Sequence, residues 1–213
     1  MKKSAQKIAD YLLQIKAIKL EPSNPFTWAS GWKSPIYCDN RKTLSFPEVR
    51  EYIRDTFAGI ISEKYPEAEV IAGVATGAIA HGMLVADKLG LPFIYVRSGA
   101  KGHGLGNQVE GYFEAGQKVV VVEDLISTGG SSLNAVQALR DAGCDVAGMV
   151  AIFTYGFEKS VIAFSDADCE LTTLSNYSVL VERALETGNI TDSDVEALRE
   201  WRIDPASWKG TLK

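Results

Sequence analysis

The sequence predicts an α/β fold built on an open parallel sheet flanked by helices, and three observations predict it. Apolar runs at 70–74, 93–96, 119–122, 146–153 and 171–174 are continuous rather than alternating, as in strands buried on both faces. Helical patterns lie between them, and glycines punctuate the junctions. No internal repeat, low-complexity tract or Gly/Ser- or Pro-rich linker interrupts the 213 residues, so a single domain is expected.

The elements follow in order. Residues 1–20 read as a helix, with Ile8, Leu12 and Ile15 on one face, Tyr11 and Ile18 beside them, and lysines elsewhere. The next stretch, FTWASGWKSPIYCDNR, is rich in turn formers and aromatics and reads as irregular or strand-like. Ser45 and Glu48 have capping-box spacing ahead of a second helix, whose stripe is Val49, Ile53, Phe57 and Ile60/Ile61. The strand at 70–74 enters the turn Gly73-Val74-Ala75-Thr76-Gly77, a helix at 78–89 and a strand at 93–96. Four valines at 119–122 form the most strongly β-prone run, and a helix at 131–142 closes at Gly143. A strand at 146–153, a short helix and a strand at 171–174 complete the core, about 65–175. In the tail, Thr191 and Asp194 resemble a capping box, Val195, Leu198 and Trp201 share a face, and Pro205 ends the helix.

Composition excludes several classes. With 22 Lys+Arg against 27 Asp+Glu, the net charge of −5 argues against a broad basic surface, so no nucleic-acid partner is expected. No apolar run approaches the ~18 residues of a membrane span, so no membrane association is expected either. The basic start lacks an unbroken apolar segment because Asp10, Gln14 and Lys16 interrupt it, which disfavours a secretion signal. Cys38, Cys144 and Cys169 are scattered without a CxxC, and with two histidines elsewhere neither a disulfide framework nor a zinc site is indicated. A cytoplasmic protein is the expectation.

Chemistry concentrates in VVVVEDLISTGGSS, residues 119–132. A buried strand delivers Glu123 and Asp124; then Leu125, Ile126, Ser127, Thr128, Gly129, Gly130 and Ser131 lead through a small-residue turn into a helix. Hydroxyls, glycines and free amides at a helix N-terminus form an anion cradle suited to phosphate. The lysine of a P-loop is missing, and the glycines of 102–106 lack dinucleotide-fold spacing. Two carboxylates beside a phosphate cradle suit a ligand that also carries a vicinal diol, and they favour positive charge developing on a sugar ring. A ribose 5-phosphate unit meets both demands. Read alone, Ser127–Gly130 is equally an ordinary capped helix start.

A second concentration follows the strand at 93–96. Arg97, Lys101 and His103 stand amid Gly99, Gly102, Gly104 and Gly106, a cluster of potential cations on a segment able to change conformation, as a lid must. Taken alone, these charges read as readily as solvated surface. The Gly73–Gly77 turn is a further candidate oxyanion cradle or a plain strand-to-helix turn. His81, in the helix after it, reads as structural.

VVVVEDLISTGGSS resembles the phosphoribosyl-diphosphate motif of the type I phosphoribosyltransferases. FTWASGWKSPIYCDNR, YVRSGAKGHGLGNQVEG, AIFTYGF and LTTLSNY narrow the resemblance to the orotate phosphoribosyltransferases, in a branch like that of Gram-positive bacteria, over nearly the whole chain. The resemblance implies a type I phosphoribosyltransferase fold with a hood formed from about 1–45 and the C-terminal segment. It implies transfer of the 5-phosphoribosyl group from phosphoribosyl diphosphate to orotate in pyrimidine biosynthesis, giving orotidine 5′-phosphate and pyrophosphate. Mg²⁺ would be the cofactor, held through substrate oxygens with no protein side chain assigned to it. Catalytic roles fall to Lys101, Asp124, Glu123 and His103. Donor binding falls to Arg97, Lys101, His103 and residues 123–131. The resemblance also implies a homodimer in which the loop 97–108 reaches the partner's site.

Lys33 is the natural cation for orotate's carboxylate, and the resemblance implies Ser127 and backbone groups around 153–155 as partners for the ring. The sequence departs from the family pattern in places. Many relatives carry a further lysine where this chain has Ser98 or Gly99, and some carry a lysine at Ala29 and an arginine near Gly156. Two alternatives stay open at this point: a transferase for another base, and a non-catalytic regulator that senses phosphoribosyl diphosphate.

Overall fold

The computed structural model describes residues 2–28, 31–99 and 108–210. The chain forms two compact units, Met1–Thr43 with Ser175–Lys213, and Leu44–Leu174.

The smaller unit begins with α1 (Lys2–Gln14), which buries Ile8, Ala9, Tyr11 and Leu12. The helix stops short of Ile15 and Ile18, contrary to the sequence reading. Lys16 turns the chain with φ of 54°, and Ile18 opens β1 (Ile18–Leu20). Apolar spacing misplaces this boundary because a buried strand residue directly after a helix prolongs the stripe. The aromatic-rich stretch forms short strands, β2 (Phe26–Thr27), β3 (Lys33–Ser34) and β4 (Ile36–Cys38). β2 pairs antiparallel with β3, and β1 with β4.

In the larger unit, α2 (Pro47–Lys64) starts from Phe46 with no side-chain cap. The capping box expected from Ser45 and Glu48 does not form. Ser45 closes a 3₁₀ turn, and Pro47, with its fixed φ and absent N–H, takes the first helical position instead. The sheet then builds from β5 (Val70–Val74), α3 (Ile79–Leu89), β6 (Phe93–Val96), β7 (Val109–Glu110), β8 (Lys118–Ile126), α4 (Gly130–Asp141), β9 (Asp145–Thr154), α5 (Glu158–Asp166) and β10 (Leu171–Asn176). Its six strands lie in the order β10-β9-β8-β5-β6-β7. β5 runs parallel to β6 and β8, β8 runs parallel to β9, and β7 is antiparallel to β6 at the edge.

The expected mostly parallel sheet is therefore present, with Val119, Val120, Val121 and Val122 wholly buried at its centre. On one face, Val119, Val121, Met149 and Ala151 join Ala135, Val136, Leu139 and Phe164 from α4 and α5 in a single core. On the other, glycines bring α3 close to the sheet. A Cβ added at Gly82 would stand 3.2 Å from Gly73 Cα and 2.7 Å from the Phe93 ring.

The chain returns to the smaller unit through α6 (Tyr177–Glu186) and α7 (Asp192–Ile203). The Thr191–Asp194 capping box forms as the sequence reading expects. Trp201 is fully buried there, edge-on to Trp28 at 5.7 Å, and Tyr177 Oη donates to Leu198 O at 2.9 Å.

Candidate functional site

In an open parallel sheet the carboxyl ends of the strands face the ligand. Here β8 carries its acids inside the strand rather than in the loop beyond, because pairing with β9 continues through Glu123↔Ala151, Leu125↔Phe153 and Ile126↔Thr154. Strand alternation then starts the two side chains on opposite faces, although their carboxyls still interact. Glu123 continues the face of Val119 and Val121 and turns toward α4, where Ser132 Oγ donates to its Oε2 at 2.8 Å. Its Oε1 accepts the Asp124 amide at 2.8 Å. Only 5% of Glu123 is exposed, and this burial pushes its carboxyl up to about 8. The Asp124 charge and a hydrogen bond with the Asp124 side chain add to the rise, while the hydrogen bonds from the Asp124 amide and Ser132 oppose it.

Asp124 emerges on the opposite side, half-buried, against the turn that follows β5. A Cβ placed on Gly77 would lie 2.4 Å from Asp124 Oδ2 and 2.6 Å from Oδ1, so the carboxylate rests directly on the glycine backbone. The turn is tied to the neighbouring strand by the Ala75 amide, which donates to Val96 O at 2.8 Å, and its Ala75–Thr76 peptide is cis. The turn after β5 is thus seated on Asp124, three residues before the glycine turn that opens α4 begins.

Leu125 and Ile126 complete β8, and Ser127 and Thr128 are half-buried in the turn beyond. Gly129 has φ of 86°, a left-handed conformation that glycine adopts freely, and a Cβ there would press on the Phe164 ring at 3.0 Å. Gly130 and Ser131 open α4 on its exposed side, where the unsatisfied amides of a first turn favour an anion. Beside this turn, the Tyr155 amide donates to Ile126 O at 3.1 Å. Phe153, Tyr155 and Phe157 pack in succession there, with ring centroids 5.7 and 5.4 Å apart.

Arg97 follows β6. Its amide donates to Gln108 O at 2.9 Å, and its Nη1 approaches Glu110 Oε1 at 3.5 Å. Lys101 and His103 lie outside the described residues, as does Ala29. Lys33 stands exposed on β3 of the smaller unit, donating from Nζ to Thr27 Oγ1, its cross-strand neighbour, at 2.8 Å. His81 is buried in α3 at 1% exposure. Three participants escaped the sequence reading: Ser132, Glu110 and the seat of Asp124 on Gly77. Each depends on a contact between segments, and only the Ser-Ser start of α4 hinted at the first.

A sequence profile of the phosphoribosyl transferase domain matches residues 43–182. Orotate phosphoribosyltransferase of Porphyromonas gingivalis is 58% identical over 208 residues, covering 98% of this chain and 99% of its own length. The Lactococcus lactis subsp. cremoris orotate phosphoribosyltransferase is 57% identical over 202 residues, covering 95% of this chain and 97% of its own. Among solved structures, orotate phosphoribosyltransferase from Aeropyrum pernix superposes with a TM-score of 0.75 at 27% identity, covering 86% of this chain and 99% of that one.

Proposed function

The chain belongs to the orotate phosphoribosyltransferases, and on that premise we propose which of its residues hold the sugar donor, the base and the leaving group. The enzyme transfers the 5-phosphoribosyl group from phosphoribosyl diphosphate to orotate, giving orotidine 5′-phosphate and pyrophosphate in pyrimidine biosynthesis. The conjunction at the end of β8 carries the assignment: two acids, a glycine turn opening a helix, and a second glycine turn seated on Asp124.

The first turn of α4, with Ser127, Thr128, Gly129, Gly130 and Ser131, takes the 5-phosphate through amides and hydroxyls. Glu123 and Asp124 accept the ribose hydroxyls, and the Asp124 carboxylate favours the positive charge that grows on the sugar as its bond to diphosphate breaks. The electron pair of that bond leaves with the diphosphate. Orotate's deprotonated ring nitrogen supplies the pair for the new bond, so no covalent enzyme intermediate is required, and positioning provides much of the acceleration.

Amides of the Gly73–Gly77 turn, with Arg97, Lys101 and His103, meet the negative charge that builds on the leaving group. Such contacts count because they strengthen in the transition state. Ser127 and the backbone at 153–155 receive the ring, and Lys33 is the candidate cation for orotate's carboxylate. The mouth of the site offers hard oxygens from Asp124, Ser127 and Thr128, which suits Mg²⁺. The ion would arrive on the oxygens of the donor, retain waters and neutralise diphosphate charge, with no protein side chain assigned to it.

We assign a homodimer in which the 97–108 segment of one subunit serves the site of the other, and a cytoplasmic location. Among the described residues no helix is long and apolar enough to cross a membrane. A mixing experiment tests the shared site. Lys101→Ala and Asp124→Asn subunits are each expected to be nearly inactive while keeping a native circular dichroism spectrum. Exchanged together, they should regain up to about a quarter of the parent activity, because half the dimers then hold one intact site of two. Full activity in Lys101→Ala, or no recovery on mixing, would contradict the assignment.

A further inference from the structure

Ser132 closes the VVVVEDLISTGGSS stretch, yet the sequence reading gives it no role. It sits in the first turn of α4, 1% exposed, and its hydroxyl is spent on Glu123 Oε2 at 2.8 Å. A buried carboxyl group is costly to leave unsatisfied and free to swing among rotamers unless something fixes it. Glu123 is fixed twice, by the Asp124 amide on one oxygen and by Ser132 on the other. The carboxyl oxygens still have lone pairs to offer a further donor beyond these bonds.

The amide contact lies within the strand itself, whereas the Ser132 contact ties the acid to the helix that opens the phosphate cradle. Acid and cradle therefore share one rigid frame, the arrangement expected of a preorganised acceptor.

We propose that Ser132 is a positioning residue for phosphoribosyl transfer, holding the Glu123 carboxyl group in register with the α4 cradle so that the sugar hydroxyls meet a fixed acceptor. The proposal rests on the assignment of Glu123 to the ribose. It predicts a cost confined to the donor. Ser132→Ala should lower kcat/KM for phosphoribosyl diphosphate by up to about tenfold, the upper end for an ordinary hydrogen bond. The KM for orotate should stay within twofold.

The test measures kcat and KM for both substrates in Ser132→Ala, Ser132→Thr, Glu123→Gln and the Ser132→Ala/Glu123→Gln double variant, with thermal melts alongside. Ser132→Thr keeps the hydroxyl and should restore at least part of the loss. In the double variant, removing the hydroxyl should add no more than twofold to the effect of Glu123→Gln, since the group it positions has changed.

Unchanged donor kinetics in Ser132→Ala, with Glu123→Gln impaired, would overturn the positioning role and leave the ribose assignment standing. Full activity in Glu123→Gln would instead overturn the ribose assignment itself. Equal losses toward both substrates that the threonine does not relieve would mark Ser132 as structural and also overturn the proposal. If Ser132→Ala fails to fold, Ser132→Thr decides: normal orotate KM with donor kinetics close to the parent supports the proposal, and a donor loss as large as that of Glu123→Gln refutes it.

Discussion

Replacing Gly77 by alanine adds one methyl group at the point where the turn after β5 meets Asp124. A Cβ there falls 2.4, 2.5 and 2.6 Å from Oδ2, Cγ and Oδ1 of Asp124. Comfortable contact begins at roughly 3.5 Å, so the carboxylate must retreat by about 1 Å or the turn must lift by the same amount. Gly77 is not among the residues with positive φ, so alanine meets no backbone penalty and the collision itself is what the variant measures.

A misplacement of that size can cost on the order of 100-fold in rate, and that is the expected loss in kcat/KM for phosphoribosyl diphosphate. Gly59→Ala, on the exposed side of α2 with nothing within 4 Å of the added methyl, serves as the control and should leave activity unchanged. The assay is steady-state orotate consumption at varied donor concentration. Adding Gly77→Ala to Asp124→Ala should cost little more than Asp124→Ala alone, because the colliding carboxylate is gone. Gly77→Ala within twofold of the parent would refute the reasoning, as would fully additive losses in the double variant.

Two other outcomes follow from the same geometry. Gly129→Ala forces an alanine to φ of 86° and against the Phe164 ring, so it should lose roughly 1–2 kcal/mol of stability in denaturant melts and raise the donor KM. Glu123 is a carboxyl whose folded value, about 8, lies above its ordinary 4.5, so the native state holds the extra proton between those limits. Its contribution is fully present below about pH 4.5 and is lost as pH rises toward 8; ligand-free wild type should therefore lose stability relative to Glu123→Gln over that window, as chemical melts at several pH values will show.

The parallel sheet was legible because its strands are buried on both faces and write themselves as unbroken apolar runs, 119–122 most plainly. Helix limits were less so. Ile15 and Ile18 continue the stripe of α1 although the chain has already turned at Lys16, and Pro47 starts α2 without the serine that seemed to cap it. β2 and β3 have only two residues each, too short for any alternation to appear.

At the site, the acids and the glycine turn lie consecutively along the chain and could be read directly. What the sequence did not reveal is that Glu123 and Asp124, whose carboxyls still interact, each take a different further partner. Pairing with β9 keeps both in the strand, and alternation sends one to Ser132 and the other to Gly77. Adjacent letters gave no sign of that difference, since it depends on where β8 ends.

The most direct test of the account follows orotate absorbance in the ultraviolet with phosphoribosyl diphosphate and Mg²⁺ each supplied or withheld, and pyrophosphatase added to pull the reaction forward. The account predicts loss of orotate only when donor and metal are both present, and near-abolition of that loss in Asp124→Asn. Orotate consumed at the full rate in excess chelator would contradict the role given to Mg²⁺. Orotate consumed equally well by Asp124→Asn would contradict the placement of the sugar at the end of β8.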